Sequence, residues 1–161
     1  MRKKQSGFSL IELLIVVAII LIIAAIAIPS LVRAKISANE ASAVSSIRSI
    51  HSMEVVYSLN YPSVGYADDI AKLGPPPSGT PADSNHAGLL DFVLGCAAQP
   101  CEKNGYLFQV DQTSGSPINF FRVTAVPFSP QRSGVRGFCS STPGVIYFDP
   151  KGGTSCTDSI N

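Results

Sequence analysis

Between Phe8 and Val32 one ionisable side chain, Glu12, stands among 25 residues that otherwise carry no charge. Seventeen of the 25 are Phe, Leu, Ile or Val, which together favour membrane insertion by roughly 5–10 kcal/mol. The acid costs about 3 kcal/mol in the same setting, so insertion wins and the carboxylate is tolerated. Such a group is a functional candidate by default, and it needs a cationic partner. At 1.5 Å per residue the run is long enough to cross a hydrocarbon core about 30 Å thick.

The other groups with chemical potential lie downstream. Cys96, Cys101, Cys139 and Cys156 allow three pairings. Cys96 with Cys101 and Cys139 with Cys156 is the expected set, because each pair is local and brackets a turn-rich stretch containing Pro or Gly. Closing the longer loop would contribute about 3 kcal/mol. Zinc is the rival reading, but the spacing is not that of a finger or ribbon. His51 and His86 could serve as bases to a cysteine nucleophile, which bridged cysteines cannot supply. Asp68, Asp69, Asp83 and Asp91 lack an EF-hand pattern and read as a solvated acidic loop. The chain has no Gly-x-Ser-x-Gly elbow, His-Glu-x-x-His pair or phosphate-binding glycine loop. The expectation is a protein that is not an enzyme, with no catalytic residue, metal or cofactor. Arg122, Arg132 and Arg136 fall within fifteen residues and form a candidate basic patch for phosphates, against the default of a solvated face.

The elements that hold these residues follow from pattern. Arg2, Lys3 and Lys4 precede the apolar run, which puts the N-terminus in the cytoplasm and the remainder on the exported, oxidising side, where disulfides persist. Residues 1–7 form a processing segment, residues 8–32 a transmembrane helix and residues 33–59 its amphipathic continuation. Residues 60–161 make an exported globular domain. Pro29 removes a helical hydrogen bond and is expected to kink the helix there without ending it. Beyond it Ile36, Ala43, Ile47, Ile50 and Tyr57 recur near helical spacing on one face, interrupted by Glu40 and Glu54. His51 is placed at the surface or an edge. Asn60-Tyr61-Pro62 stops the helix, and a loop rich in Pro, Gly, Ser and Asp follows as far as Asn85. Gly88–Leu94 reads as a short helix ended by Gly95. Residues 106–110, 120–126 and 145–148 read as strands of an antiparallel meander of three or four strands. Without the three leading cations the chain holds nine basic and eleven acidic residues, a balance near −2 that gives no general attraction for nucleic acid.

Lys3-Lys4-Gln5-Ser6-Gly7-Phe8-Ser9-Leu10-Ile11-Glu12-Leu13, with Pro29 on the same helix, resembles the class III signal of type IV pilins and type II secretion pseudopilins. The resemblance implies cleavage between Gly7 and Phe8 by a prepilin peptidase that also methylates the new Phe8 amine. It implies that Glu12 pairs with the N-terminus of a neighbouring subunit and sets register as subunits leave the lipid for a filament of copies or related pilins, through an inner-membrane assembly platform. A free α-amine, with a reference pKa of about 7.7–8.0, is largely cationic at neutral pH and suits that pairing. The implied fold is α+β, a long N-terminal helix packed by its C-terminal half on a small antiparallel sheet. The implied place is the inner membrane, single-pass, and then a surface or periplasmic filament. The alternatives are a secretion pseudopilin, a minor tip pilin that captures DNA or a surface, and an ordinary secretory signal cut near Ala25-Ile26-Ala27. The C-terminal stretch Lys151-Gly152-Gly153-Thr154-Ser155-Cys156 is not an acidic calcium loop of the kind major pseudopilins carry, which favours the pilus over the pseudopilus.

Overall fold

The computed structural model describes residues 8–160; the leader, Gly7 included, and Asn161 lie outside the described residues. Helix α1 runs Leu10–Asn60, with Pro29 inside it. No glycine occurs between Phe8 and Val64, so nothing in that span carries the backbone-entropy cost of glycine. The helix ends where Pro62 cannot continue it. The last turn closes through Tyr61 N–H donating to the Tyr57 carbonyl at 2.9 Å.

The chain divides into two compact units between Lys35 and Ile36. In the second unit six strands form one antiparallel sheet in simple sequence order: β1 Cys101–Lys103, β2 Tyr106–Gly115, β3 Ile118–Pro127, β4 Gly137–Ser141, β5 Ile146–Asp149 and β6 Asp158–Ser159. The sequence reading located β2, β3 and β5. It missed β1, β4 and β6, which are short and carry no long aromatic or β-branched run.

The β1–β2 hairpin turns on Asn104 and Gly105 at φ 48° and 73°. A two-residue turn with positive φ at both positions matches the twist of the flanking strands. Asn104 Nδ2 also donates to Ser42 Oγ at 2.8 Å, which ties the hairpin to α1. Along β2 burial alternates, Tyr106, Phe108 and Val110 turning inward. They meet Phe121, Val123 and Ala125 of β3, Phe138 of β4, and the α1 stripe of Ala43, Ile47, Ile50 and Tyr57 in one core. The helical stripe expected from spacing is this packing face, with Ile36 half-buried at its start. Residues 88–94 form no helix. Asp91 instead caps one α-turn, its Oδ1 accepting from Val93 and Leu94 N–H at 3.1 and 2.8 Å, closed by Gly95 N–H to the Asp91 carbonyl at 2.7 Å. The short side-chain acceptor competes well with a helical ladder over so few residues. The nearby helical piece is instead the 3-10 turn Ile70–Leu73, whose first turn Asp69 caps.

Candidate functional site

The N-terminal end of α1 is built from Ser9 and Glu12. Ser9 N–H donates to Glu12 Oε2 at 2.9 Å, and Leu13 N–H donates to the Ser9 carbonyl at 3.2 Å, the first helical bond. This is one half of a capping box, in which an acid three residues into the helix satisfies the donor at the cap. The Ser-x-x-Glu spacing is the signal by which this cap could have been found, and the sequence reading did not use it. Glu12 Oε2 thus holds the turn, and Oε1 makes no hydrogen bond among the described residues. Phe8, the residue before the cap, is 82% exposed.

From Phe8 to Val32 all seventeen large apolar side chains are exposed, none less than 44%. Apolar surface on every side of a helix requires lipid or other helices around it. This is a membrane-anchoring helix, long and apolar enough to cross a bilayer. Arg33 and Lys35 follow the apolar run at once and are exposed.

The remaining candidates are occupied structurally. Cys96 is bonded to Cys101 and Cys139 to Cys156, with Cα separations of 5.5 and 6.1 Å. Asp69, Asp83 and Asp91 accept backbone N–H bonds from residues two or three positions on, and Asp68 pairs with Lys72 at 2.6 Å. Among the described residues no three His, Cys, Asp or Glu gather to hold a metal. Two of the three arginines are paired with carboxylates. Arg122 makes a forked pair with Asp111, Arg136 makes one with Glu40, and Arg132 is left exposed by itself. His51 is half-buried, as at an edge; its ring lies 5.2 Å from that of Phe121, Nδ1 is buried without a partner among the described residues, and burial lowers its pKa.

An apolar helix opened by a lone carboxylate, its distal half packed on an antiparallel sheet, is the pilin-like arrangement. Residues 2–28 match the family described as the prokaryotic N-terminal methylation motif. The chain therefore carries a type IV pilin-like class III signal, the mark of a structural family of proteins. No curated protein and no solved structure matches it.

Proposed function

We propose that this chain is a structural subunit of a type IV pilus or pilus-like filament, cut between Gly7 and Phe8, methylated on Phe8 and assembled through α1. The observation that carries the reading is the methylation motif at residues 2–28, which covers the start of a helix whose one membrane carboxylate, Glu12, stands at the cap. After cleavage only Phe8 precedes Ser9, so the new amine sits one residue from Glu12's cap, at the end a neighbouring subunit's carboxylate must reach. The pairing is between chains: Glu12 of one subunit with the Phe8 amine of the next. The N-terminus faces the cytoplasm and the disulfide-closed domain is exported. Before assembly the partner is lipid, and afterwards it is copies of the chain or related pilins. The peptidase and methyltransferase act first, then an inner-membrane platform.

Mass spectrometry of the mature N-terminus tests this reading. A chain beginning at methylated Phe8 supports it; one beginning at Ile28, as an ordinary secretory signal would leave, overturns it. Gly7→Val should keep the leader attached, because the side chain blocks close approach of the peptidase to the backbone. Recovery of the chain in sheared surface filaments separates a pilus from a secretion pseudopilus.

A further inference from the structure

Glu54 lies on the packing face of α1 and is completely buried. Its Oε2 accepts the N–H of Ala67 at 2.8 Å, and its Oε1 is buried with no partner among the described residues. Ala67 belongs to a segment, residues 61–74, that folds back over the end of α1 and buries Ala67, Ile70 and Leu73. A second layer rests on it: Ala87 N–H bonds the Lys72 carbonyl, and Leu89 and Leu90 N–H bond the Leu73 carbonyl, at 2.8–2.9 Å. One turn along α1, Tyr57 O–H donates to the Ser84 carbonyl at 2.6 Å.

The surroundings of this carboxyl are acidic. On its own helix the neighbours one turn away are His51, packed on Phe121, and Tyr57. From the folded-back segment Asp68 acts on it, and Tyr61 and Asp83 gather with it around Tyr57. Lys72 pairs with Asp68 at 2.6 Å, and His86 Nδ1 lies 3.8 Å from Asp83. Among the described residues no cation makes a salt bridge to Glu54. An ionised carboxylate here would be a buried charge with one hydrogen bond and no counter-ion, which a protein interior does not sustain.

We propose that Glu54 is a proton-operated latch, which in its neutral form fastens residues 61–74 to α1 and on ionisation releases them. Burial, the larger influence, and the charge of Asp68 together raise its pKa to about 8, against the opposing bond from Ala67. In the opened segment the group returns to the ordinary carboxyl value of 4.5. The closed form therefore holds the proton that the open form loses. Stability of the closed segment is full below 4.5, falls as pH rises and levels off above about 8. The opening equilibrium should rise about ten-fold per pH unit across that window.

Hydrogen exchange of peptides covering residues 61–74, measured on the full mature chain in detergent micelles from pH 5 to 9 and corrected for intrinsic rates, reads this directly. Protection should fall about ten-fold per pH unit to near pH 8 and then level off. In Glu54→Gln, which keeps the acceptor for Ala67 and cannot ionise, it should be flat. A flat profile in the wild type, or the same slope in Glu54→Gln, overturns the latch. Should the variant fail to fold, a carbon-13 carboxyl titration of Glu54 in the wild type decides the matter. A midpoint raised above the ordinary glutamate range, with the amide signals of residues 61–74 changing over the same pH range, supports the latch, and a midpoint in the ordinary glutamate range, or amide signals that stay unchanged through it, overturns it.

Discussion

Glu40 and Arg136, 96 positions apart in the chain, meet in a forked ion pair: Glu40 Oε2 accepts from Arg136 Nε at 2.8 Å and Nη2 at 2.7 Å. The other oxygen accepts the backbone N–H groups of Val135 and Arg136 at 3.0 and 3.1 Å. The guanidinium lies over the rings of the cross-strand pair Phe138 and Phe148, 5.5 and 5.4 Å from their centroids. One carboxylate thus fixes the loop between β3 and β4 to the helix, and it supplies Arg136 with its counter-ion. Asn39 Nδ2 supports the same junction by donating to the Ser133 carbonyl at 2.8 Å.

Glu40→Ala should lower the stability of the mature chain by about 3 kcal/mol, because it strands a cation and two backbone donors at once. Urea unfolding in micelles measures it. The pH dependence has a definite sign. Burial raises the pKa of Glu40, but the two backbone N–H bonds and Arg136 outweigh that and hold it below 4.5. Its stabilisation is complete above 4.5 and is lost as pH falls through the lowered value. Wild type should therefore lose stability on acidification over a range where Glu40→Gln is flatter.

Glu40 also shows where sequence reading stopped. The 3.6-residue spacing of Ala43, Ile47, Ile50 and Tyr57 exposes the packing face of α1, since burial of that stripe is a local property of the helix. Glu40 and Glu54 break the same stripe, and their partners, Arg136 and Ala67, are set by the return path of the chain. No local pattern encodes that path. The long strands β2 and β3 were legible from their alternation. Strand β4, Gly137–Ser141, is buried at four of its five positions, so it shows no alternation to read. At the N-terminus the long apolar helix was legible, because the run of apolar residues that drives insertion is contiguous, whereas the Ser9–Glu12 cap was not read.

Gly65 has φ +87°, and a Cβ there would collide with the backbone carbonyl of Ile118. The close approach is used: Tyr66 N–H donates to the Ile118 carbonyl at 3.0 Å, and Ile118 N–H to the Val64 carbonyl at 2.9 Å. Gly65→Ala should cost about 2 kcal/mol, through backbone strain and loss of this pair of bonds. Urea unfolding is the measurement. Gly79 is a control, with φ +84° but nothing within 4 Å of a Cβ. Gly79→Ala should show the conformational cost alone and be the milder of the two.

The bond between Cys139 and Cys156 joins β4 to the chain leading into β6, across 17 positions. Paired replacement by Ser should lower stability by about 2–5 kcal/mol and leave the N-terminal processing untouched. Non-reducing peptide mapping of exported protein should give Cys96 with Cys101 and Cys139 with Cys156. Alkylatable thiols at all four positions would count against both the bridges and export.

Glu12 has two candidate tasks, and one substitution separates them. Its Oε2 caps Ser9 N–H within its own chain, while the filament reading gives its charge to the Phe8 amine of a neighbour. Glu12→Ala removes both functions and makes insertion easier, since the cost of a membrane acid disappears. Glu12→Gln retains an acceptor for Ser9 N–H, as capping boxes accept either residue, but has no charge to attract an amine. With the ion pair essential, both variants are cleaved and inserted yet accumulate in the membrane, with assembly reduced at least ten-fold. With capping alone essential, Glu12→Gln assembles as wild type and only Glu12→Ala fails. The measurement is the ratio of sheared extracellular protein to membrane-retained protein at matched expression. Wild-type behaviour of Glu12→Gln would remove the intersubunit ion pair from the assembly mechanism and leave Glu12 as the cap of its own helix.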